Sequence, residues 1–335
     1  MFFSIVIPIY NAKDFLSDCI ESIRNQSFTD FEVIMIDDGS TDGSQDMCDK
    51  YVQMDDRFRV IHKSNEGVTP ARQDAGHYVN GDYVISVDAD DMIDKNLLFD
   101  LHEEIVKNSP DLVAYGYKEI DENGNVIKTR LNDATIGFYE DIEFTKIHDA
   151  FLYDKELPGI NVGNLIFSVW TKAMKRNLYK EVVSEVNSKL TKGEDLAMLM
   201  RTMNKANSIL ISKESGYLYR LQPNSITHIF RIEDLYRQSI LNDEIENIIL
   251  SNKSISNQAR VCKFYTSYER VRALAEQTNT YRDYKKIIKE AEKCELFDDV
   301  GKMKISQPSN TERVKLFIIK HKLWLLLYLY WRLRA

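Results

Sequence analysis

Three short acidic clusters in this sequence could do chemistry together. The first is Asp88-Ala89-Asp90-Asp91, straight after the apolar run 83–87. A hard divalent cation bound along with phosphates takes carboxylate oxygens, and one or two suffice. In such a D-x-D, one Asp can hold Mn2+ or Mg2+ and the other a ribose hydroxyl. A solvated turn capping the next helix would look the same at this one place. The second cluster is Asp37-Asp38, which closes the apolar run 31–36. Asp38 there can accept a hydrogen bond from a base imide N–H or a ribose hydroxyl. The third is Glu194-Asp195, which follows Gly193 at the head of a helical stretch rich in Leu and Met. Carboxylates at a helix start are also favoured by the helix dipole alone.

Other residues narrow the chemistry. The stretch from Ile7 to Lys13 contains no glycine. It therefore lacks the G-x-G-x-x-G of a dinucleotide site, and the chain has no G-x-x-x-x-G-K-[ST] phosphate loop. Tyr10 instead offers a flat face on which a base can stack, or it is a partly buried core tyrosine. The net charge of −8 argues against nucleic-acid binding, which needs a basic face. Cys19, Cys48, Cys262 and Cys294 are far apart and form no C-x-x-C pair, so they read as reduced thiols. The first residues carry no basic leader and too short an apolar run for a signal peptide, which leads to the expectation of a cytoplasmic protein.

The elements that must position these residues alternate in type. Strands are expected at 4–8, 31–36, 58–62, 83–87 and 112–120. Helices are expected at 12–25, after a Thr41 or Asp42 cap, at 68–78 and at 97–106. Such alternation predicts an α/β sheet with helices on both faces. Ligands of such sheets bind beyond the carboxyl ends of the strands, where both the Asp37-Asp38 and Asp88–Asp91 turns fall. Residues 122–125 read as a hairpin turn, and 208–212 and 216–220 as two short strands. A long helical pattern runs from 231 to about 294, and 301–310 reads as a polar linker. The expected division is an α/β ligand-binding domain at 1–228, a helical extension at 229–300 and a basic amphipathic helix at 311–335.

Residues 4–11, 26–42, Asn65-Glu66-Gly67 with Ala71-Arg72, and 81–91 follow one another in a pattern that resembles the family 2 glycosyltransferases of the GT-A fold, the type found in bacterial surface-polysaccharide synthesis. Trp170-Thr171-Lys172, Gly193-Glu194-Asp195, Tyr219-Arg220 and 225–228 fit the same pattern. The resemblance implies a Rossmann-like, mostly parallel sheet with a C-terminal helical region. It implies an inverting transfer of a sugar from a nucleotide diphosphate, by family habit UDP, to a saccharide or lipid-linked acceptor. Pro8, Tyr10 and Asp38 would hold uracil and ribose, with Arg72, Asn65 and Gly67 near the nucleotide. Asp88 would meet the ribose and stand beside Asp90 in the metal set, Asp91 would orient donor or acceptor, and Asp195 would be the base, with Glu194 the neighbouring candidate. Gln73 stands where members often carry Asn, which leaves donor-sugar contacts there open.

The chemistry explains these residue types. Charge builds on the departing diphosphate, and a cation at Asp90 stabilises it. The acceptor hydroxyl is a poor nucleophile and must lose its proton to a carboxylate. One base suffices for an in-line displacement, which inverts the anomeric centre. Arg220 could clamp the diphosphate, and His228 could be a third metal ligand or a diphosphate donor, or a plain surface histidine. Trp170 could wall an acceptor sugar ring or fill the core. The segment 315–334 is rich in Trp, Tyr, Leu and basic residues, but Lys320, His321 and Lys322 leave too short a run to span a bilayer. It reads as an interfacial helix on the inner face of the cell membrane, or as one packed on the catalytic domain or a second copy of the chain. A nucleotidyltransferase would open with a glycine-rich basic loop, absent here. A non-catalytic nucleotide-sugar or carbohydrate-binding module would not need both the D-x-D and Glu194-Asp195.

Overall fold

A computed structural model of the chain describes residues 1–152, 165–222, 230–252, 254–305 and 309–332. They form two compact units, Met1–His148 with Lys155–Pro223, and Asp149–Asp154 with Asn224–Ala335.

The first unit opens with β1 (Phe3–Ile9), α1 (Lys13–Arg24), β2 (Phe31–Asp37), α2 (Ser44–Met54), β3 (Phe58–His62), α3 (Val68–Ala75) and β4 (Tyr83–Ser86). It continues with β5 (Met92–Ile93), α4 (Leu97–Asn108), β6 (Leu112–Ala114), β7 (Tyr117–Ile120), β8 (Val126–Arg130), β9 (Gly137–Glu140) and α5 (Asp141–His148). After 164 come β10 (Lys172–Lys175), α6 (Arg176–Glu185), α7 (Glu194–Lys205), β11 (Ser208–Ile211) and β12 (Tyr217–Arg220). Eight strands form one sheet in the order β3-β2-β1-β4-β10-β6-β11-β9, and β5-β12-β7-β8 form a second. The strands β3, β2, β1 and β4 run parallel, while β10 is antiparallel to both its neighbours.

Strand periodicity sets the core. Phe3, Ile5, Ile7 and Ile9 alternate onto one face of β1 and pack with Leu16, Cys19, Ile20 and Ile23 of α1 and with Leu97, Leu98 and Leu101 of α4. Helices α3 and α6 cover the other face, against β1 and β4. The chain winds outward from β1 to β3 and then returns to β4 on the far side of β1. The strand order therefore reverses between β1 and β4, the place where open α/β sheets take ligands. Their pairing stops at Val6 and Ser86, so the ends of the two strands part there. Pro8, which cannot donate to a ladder, lies beyond that point and pairs only with Ile36 of β2.

In this unit two expected elements differ. The strand expected at 112–120 is two strands in different sheets. The break is at Gly116, where an added Cβ would lie 2.3 Å from the Arg130 carbonyl oxygen, so only glycine lets the backbones come this close. Gly43, with φ +101°, rather than Thr41 or Asp42, stands at the head of α2. Asp42 instead accepts from the Ser44 N–H and hydroxyl and from the Lys13 N–H, joining the starts of α2 and α1.

The second unit contains α8 (Glu233–Ser251), α9 (Ser256–Glu276), α10 (Tyr281–Lys293), α11 (Asn310–Lys320) and α12 (Trp324–Arg332). The terminal segment read as one helix is thus a helical pair that turns at Lys322, where φ is +53°. Its Ile318, Ile319, Leu327 and Trp331 are buried with Tyr268, Val271, Tyr284 and Ile288 in a single core. The Trp331 indole N–H donates to the Tyr268 hydroxyl at 2.8 Å. No described helix is long and apolar enough to cross a membrane.

Candidate active site

The parallel strands place Tyr10, Asp38 and Asp88 at one edge of the sheet. Tyr10 follows β1 and is 55% exposed, leaving its ring face open. Asp38 follows β2 and is buried. Its two carboxylate oxygens accept the backbone N–H groups of Glu66 and Gly67, at 2.9 and 2.7 Å. The Asn65–Gly67 turn is therefore built on Asp38. Gly39 permits this contact, since with φ +75° an added Cβ would lie 2.8 Å from the Asn65 nitrogen.

Arg72, on α3, links two of the acidic clusters. It is buried, and its Nη2 donates to Asp88 Oδ1 while its Nη1 donates to Asp195 Oδ1, each at 3.2 Å. Glu194 lies 3.8 Å from the same Nη1. Burial opposes the guanidinium charge, but the three carboxylates outweigh it and hold the proton more firmly than usual. Burial in turn lifts the Asp88 carboxyl to about 6, with Arg72 pulling the other way. Glu194 is pushed up to about 7 by burial and by the charge of Asp195.

Asp195 stands at the second position of α7, after Gly193 in a left-handed conformation. Its Oδ2 accepts the Val169 N–H at 3.3 Å. Behind that turn lies Lys172, fully buried, whose Nζ donates to the Ile166 carbonyl, the Thr171 hydroxyl and the Ser168 carbonyl at 2.6, 2.7 and 3.3 Å. Burial draws the Lys172 amine down to about 7, and Asp195 opposes that. The segment that meets Asp195 is thus held by the buried Lys172 amine.

The carboxylates of the D-x-D turn have different surroundings. Asp91 is 1% exposed and accepts the Tyr217 hydroxyl at 2.7 Å and the Arg220 N–H at 2.8 Å. It anchors β12 beneath the turn. The Tyr217 oxygen also accepts the Asp88 N–H at 3.1 Å. Asp90 makes no ion pair among the described residues, and its Oδ2 accepts from the Gln222 amide at 2.9 Å. Burial raises the Asp90 carboxyl as well. A carboxylate with no cation of its own, beside Asp88 at a strand end, fits a hard divalent cation that also takes phosphate oxygens. No group of three or more His, Cys, Asp or Glu with metal-binding geometry occurs among the described residues.

Other expected site residues have different surroundings from those expected. The Arg220 guanidinium is buried over the Phe15 ring, paired with Asp18 at 3.0 Å and donating to the Asp90 carbonyl at 3.2 Å, so its donors are turned to the protein. Trp170 is a core residue. It is 7% exposed and stacks on Tyr217 and Tyr219 at centroid distances of 4.4 and 5.4 Å, so its ring faces do not wall the crevice. Gln73 donates to the Val183 and Val186 carbonyls at the end of α6. His228 lies outside the described residues. A cavity of about 460 Å³ lined by Phe2, Tyr83, Val106, Lys175 and Arg176 opens at the opposite edge, among the strand starts, and contains none of these groups. Sequence reasoning quoted Lys172 only as part of Trp170-Thr171-Lys172 and missed Tyr217 and Gln222. The alternation of Tyr217 and Tyr219 on one strand face was the available signal for Tyr217. Nothing local marked Gln222.

A β1–β4 crevice edged by a D-x-D turn and a helix-start carboxylate is the candidate active site of this α/β fold. The chain belongs to glycosyl transferase family 2, whose family model matches residues 4–181. Two relatives are the uncharacterized glycosyltransferase EpsJ of Bacillus subtilis and the glycosyltransferase GlyG of Streptococcus pneumoniae. EpsJ is 28% identical over 227 residues, 68% of this chain and 63% of EpsJ. GlyG is 29% identical over 228 residues, 67% of this chain and 72% of GlyG. The chain thus spans less than two thirds of the length of EpsJ. Among solved structures, Staphylococcus aureus TarS 1-349 in complex with UDP superposes with a TM-score of 0.66 at 20% identity, over 96% of this chain and 88% of that one. The mannosyltransferase PcManGT from Pyrobaculum calidifontis, in complex with GDP-Man and Mn2+, gives 0.54 at 13%, over 98% and 87%. At these identities the likeness is one of fold.

Proposed function

We propose that this chain transfers a sugar from a nucleoside diphosphate donor, UDP in the first instance, to a saccharide or lipid-linked hydroxyl acceptor, with inversion, in the assembly of a bacterial surface polysaccharide. The observation that carries this reading is the Arg72 bridge, which brings the D-x-D turn and the helix-start carboxylate to one guanidinium. Tyr10 stacks the base, Pro8 and the turn built on Asp38 shape its pocket, and Asp88 meets the ribose. Asp90, with Asp88, holds Mn2+ or Mg2+. When bound, the cation neutralises charge on the leaving diphosphate. Asp195 takes the acceptor proton. Arg72 and the Val169 N–H fix its two oxygens, so the remaining lone pairs point in set directions. Relatives support the class of product: one is named a poly(ribitol-phosphate) beta-glucosyltransferase and another a putative teichuronic acid biosynthesis glycosyltransferase. The TarS and PcManGT complexes support a nucleotide-sugar donor.

The C-terminal pair supports a membrane-surface partner. From Arg313 to Arg332 there is no Asp or Glu, while Lys315, Lys320, Lys322 and both arginines are cationic. Phe317, Leu325, Leu326 and Leu329 are exposed on the same two helices. Basic, partly apolar surfaces of this kind bind anionic lipid, at about 1 kcal/mol per cation near the surface. These features support attachment to the inner face of the cell membrane, beside lipid-linked acceptors.

The test is to incubate the protein with UDP-, GDP- and dTDP-sugars and Mn2+ and to follow nucleotide release. Release of UDP from one donor, abolished by EDTA, is expected. No release from any donor, with binding retained, would favour a binding module instead.

A further inference from the structure

The residue beside the candidate cation carboxylate comes from just past β12, distant in sequence from the D-x-D turn. Strand β12 is tied to the D-x-D turn at three points: Tyr217 hydroxyl to Asp91, Arg220 N–H to Asp91, and Arg220 Nε to the Asp90 carbonyl. Two residues past Arg220, the Gln222 Nε2 donates to Asp90 Oδ2 at 2.9 Å. The position of this amide is thus set by the same turn whose carboxylate it touches.

An amide offers two N–H donors on one side and a carbonyl oxygen on the other. Its terminal torsion is soft and roughly two-fold, so the side chain can exchange them at little cost. A cation arriving at Asp90 Oδ2 repels the N–H donors and attracts the carbonyl, and hard cations accept Gln carbonyl oxygen as a ligand. We propose that Gln222 is a ligand of the cation held by Asp90, turning its Oε1 to the ion once the ion binds. In the cation-free state its N–H holds the carboxylate in place. A neutral ligand also suits the task. A further carboxylate would cancel more of the ion's charge, whereas an amide leaves that charge to act on the donor diphosphate.

This inference rests on the cation-dependent reading of the site, and the experiment separates the two. Free Mn2+ is titrated by EPR into wild type, Asp90→Asn, Gln222→Ala and Gln222→Glu, each with UDP present, and UDP affinity is measured separately in EDTA. Gln222→Ala is expected to weaken Mn2+ binding about 10-fold, in the range typical for groups that tune a metal site, with UDP affinity in EDTA unchanged. The isosteric Gln222→Glu is expected to hold Mn2+ at least as tightly as wild type. If wild type binds Mn2+ and Gln222→Ala binds it equally well, Gln222 is not a ligand and the cation-dependent reading stands. Mn2+ binding lost in Gln222→Glu but kept in Gln222→Ala overturns the inference in the same way. If wild type binds no Mn2+ with UDP, both fall.

Discussion

Arg72 donates to Asp195 at 3.2 Å from a buried position, and its other arm reaches Asp88 at the same distance. One planar, always charged group therefore sets the spacing between the D-x-D turn and the start of α7. Arginine suits this because its donors form a rigid fork that two carboxylates can share.

A lysine at this position keeps the charge but cannot span both acids. Arg72→Lys is expected to lower turnover about 10²-fold, as loss of a preorganised donor does. It should also lower thermal stability by leaving a carboxylate without its partner. Steady-state kinetics with the preferred donor checks this; an unchanged kcat would separate Arg72 from the chemistry.

Asp195→Asn keeps the shape and the Val169 contact but removes the proton acceptor. Turnover is expected to fall about 10²–10⁴-fold, with UDP binding in the presence of Mn2+ intact by calorimetry. A rate near normal would move the base to Glu194.

Glu194 gives a pH signature. Its folded carboxyl, at about 7, keeps its proton to higher pH than the unfolded reference of 4.5. Its contribution to stability is therefore complete below 4.5 and is lost as pH rises through about 7. Glu194→Gln removes that dependence, so the difference in melting temperature between variant and wild type should widen in the variant's favour from pH 5 to pH 8. Parallel curves across that range would contradict the assignment.

Tyr217→Phe keeps the stack on Trp170 but deletes the hydroxyl that joins Asp88 and Asp91. With a buried carboxylate left short of a donor, a loss of about 1–3 kcal/mol is expected, read by urea unfolding. A change within error would mean that the Arg220 N–H alone secures the turn.

The C-terminal pair should carry the protein to anionic vesicles. Flotation with phosphatidylglycerol liposomes is expected for wild type, reduced by added salt and absent with phosphatidylcholine. Leu325→Ser with Leu329→Ser should abolish it while UDP release in solution is unchanged. If wild type fails to float and instead elutes as a dimer, these leucines face a second copy.

Much of the fold could be read from residue pattern. Runs such as 58–62 set their own strand limits through β-branched and aromatic residues flanked by polar ones, and the strand-and-helix alternation led to the parallel sheet. The strand at 112–120 was misread because apolar pattern continues through Gly116, and only the approach of the Arg130 backbone, distant along the chain, splits it. Trp170 shows the same limit. An indole beside site residues suits a sugar wall equally well until Tyr217 and Tyr219 are seen to cover it.

The sequence by itself determined that acidic turns would end the strands of an α/β sheet and that no glycine-rich phosphate loop would stand among them, because strand periodicity and turn chemistry are local. Only the tertiary structure decided which acid has which partner: Asp91 bound beneath the turn, Asp88 and Asp195 sharing Arg72, and Asp90 left to Gln222. Those pairings join residues from 16 to 132 positions apart. They are set by where strands and helices pack, which no local spacing encodes.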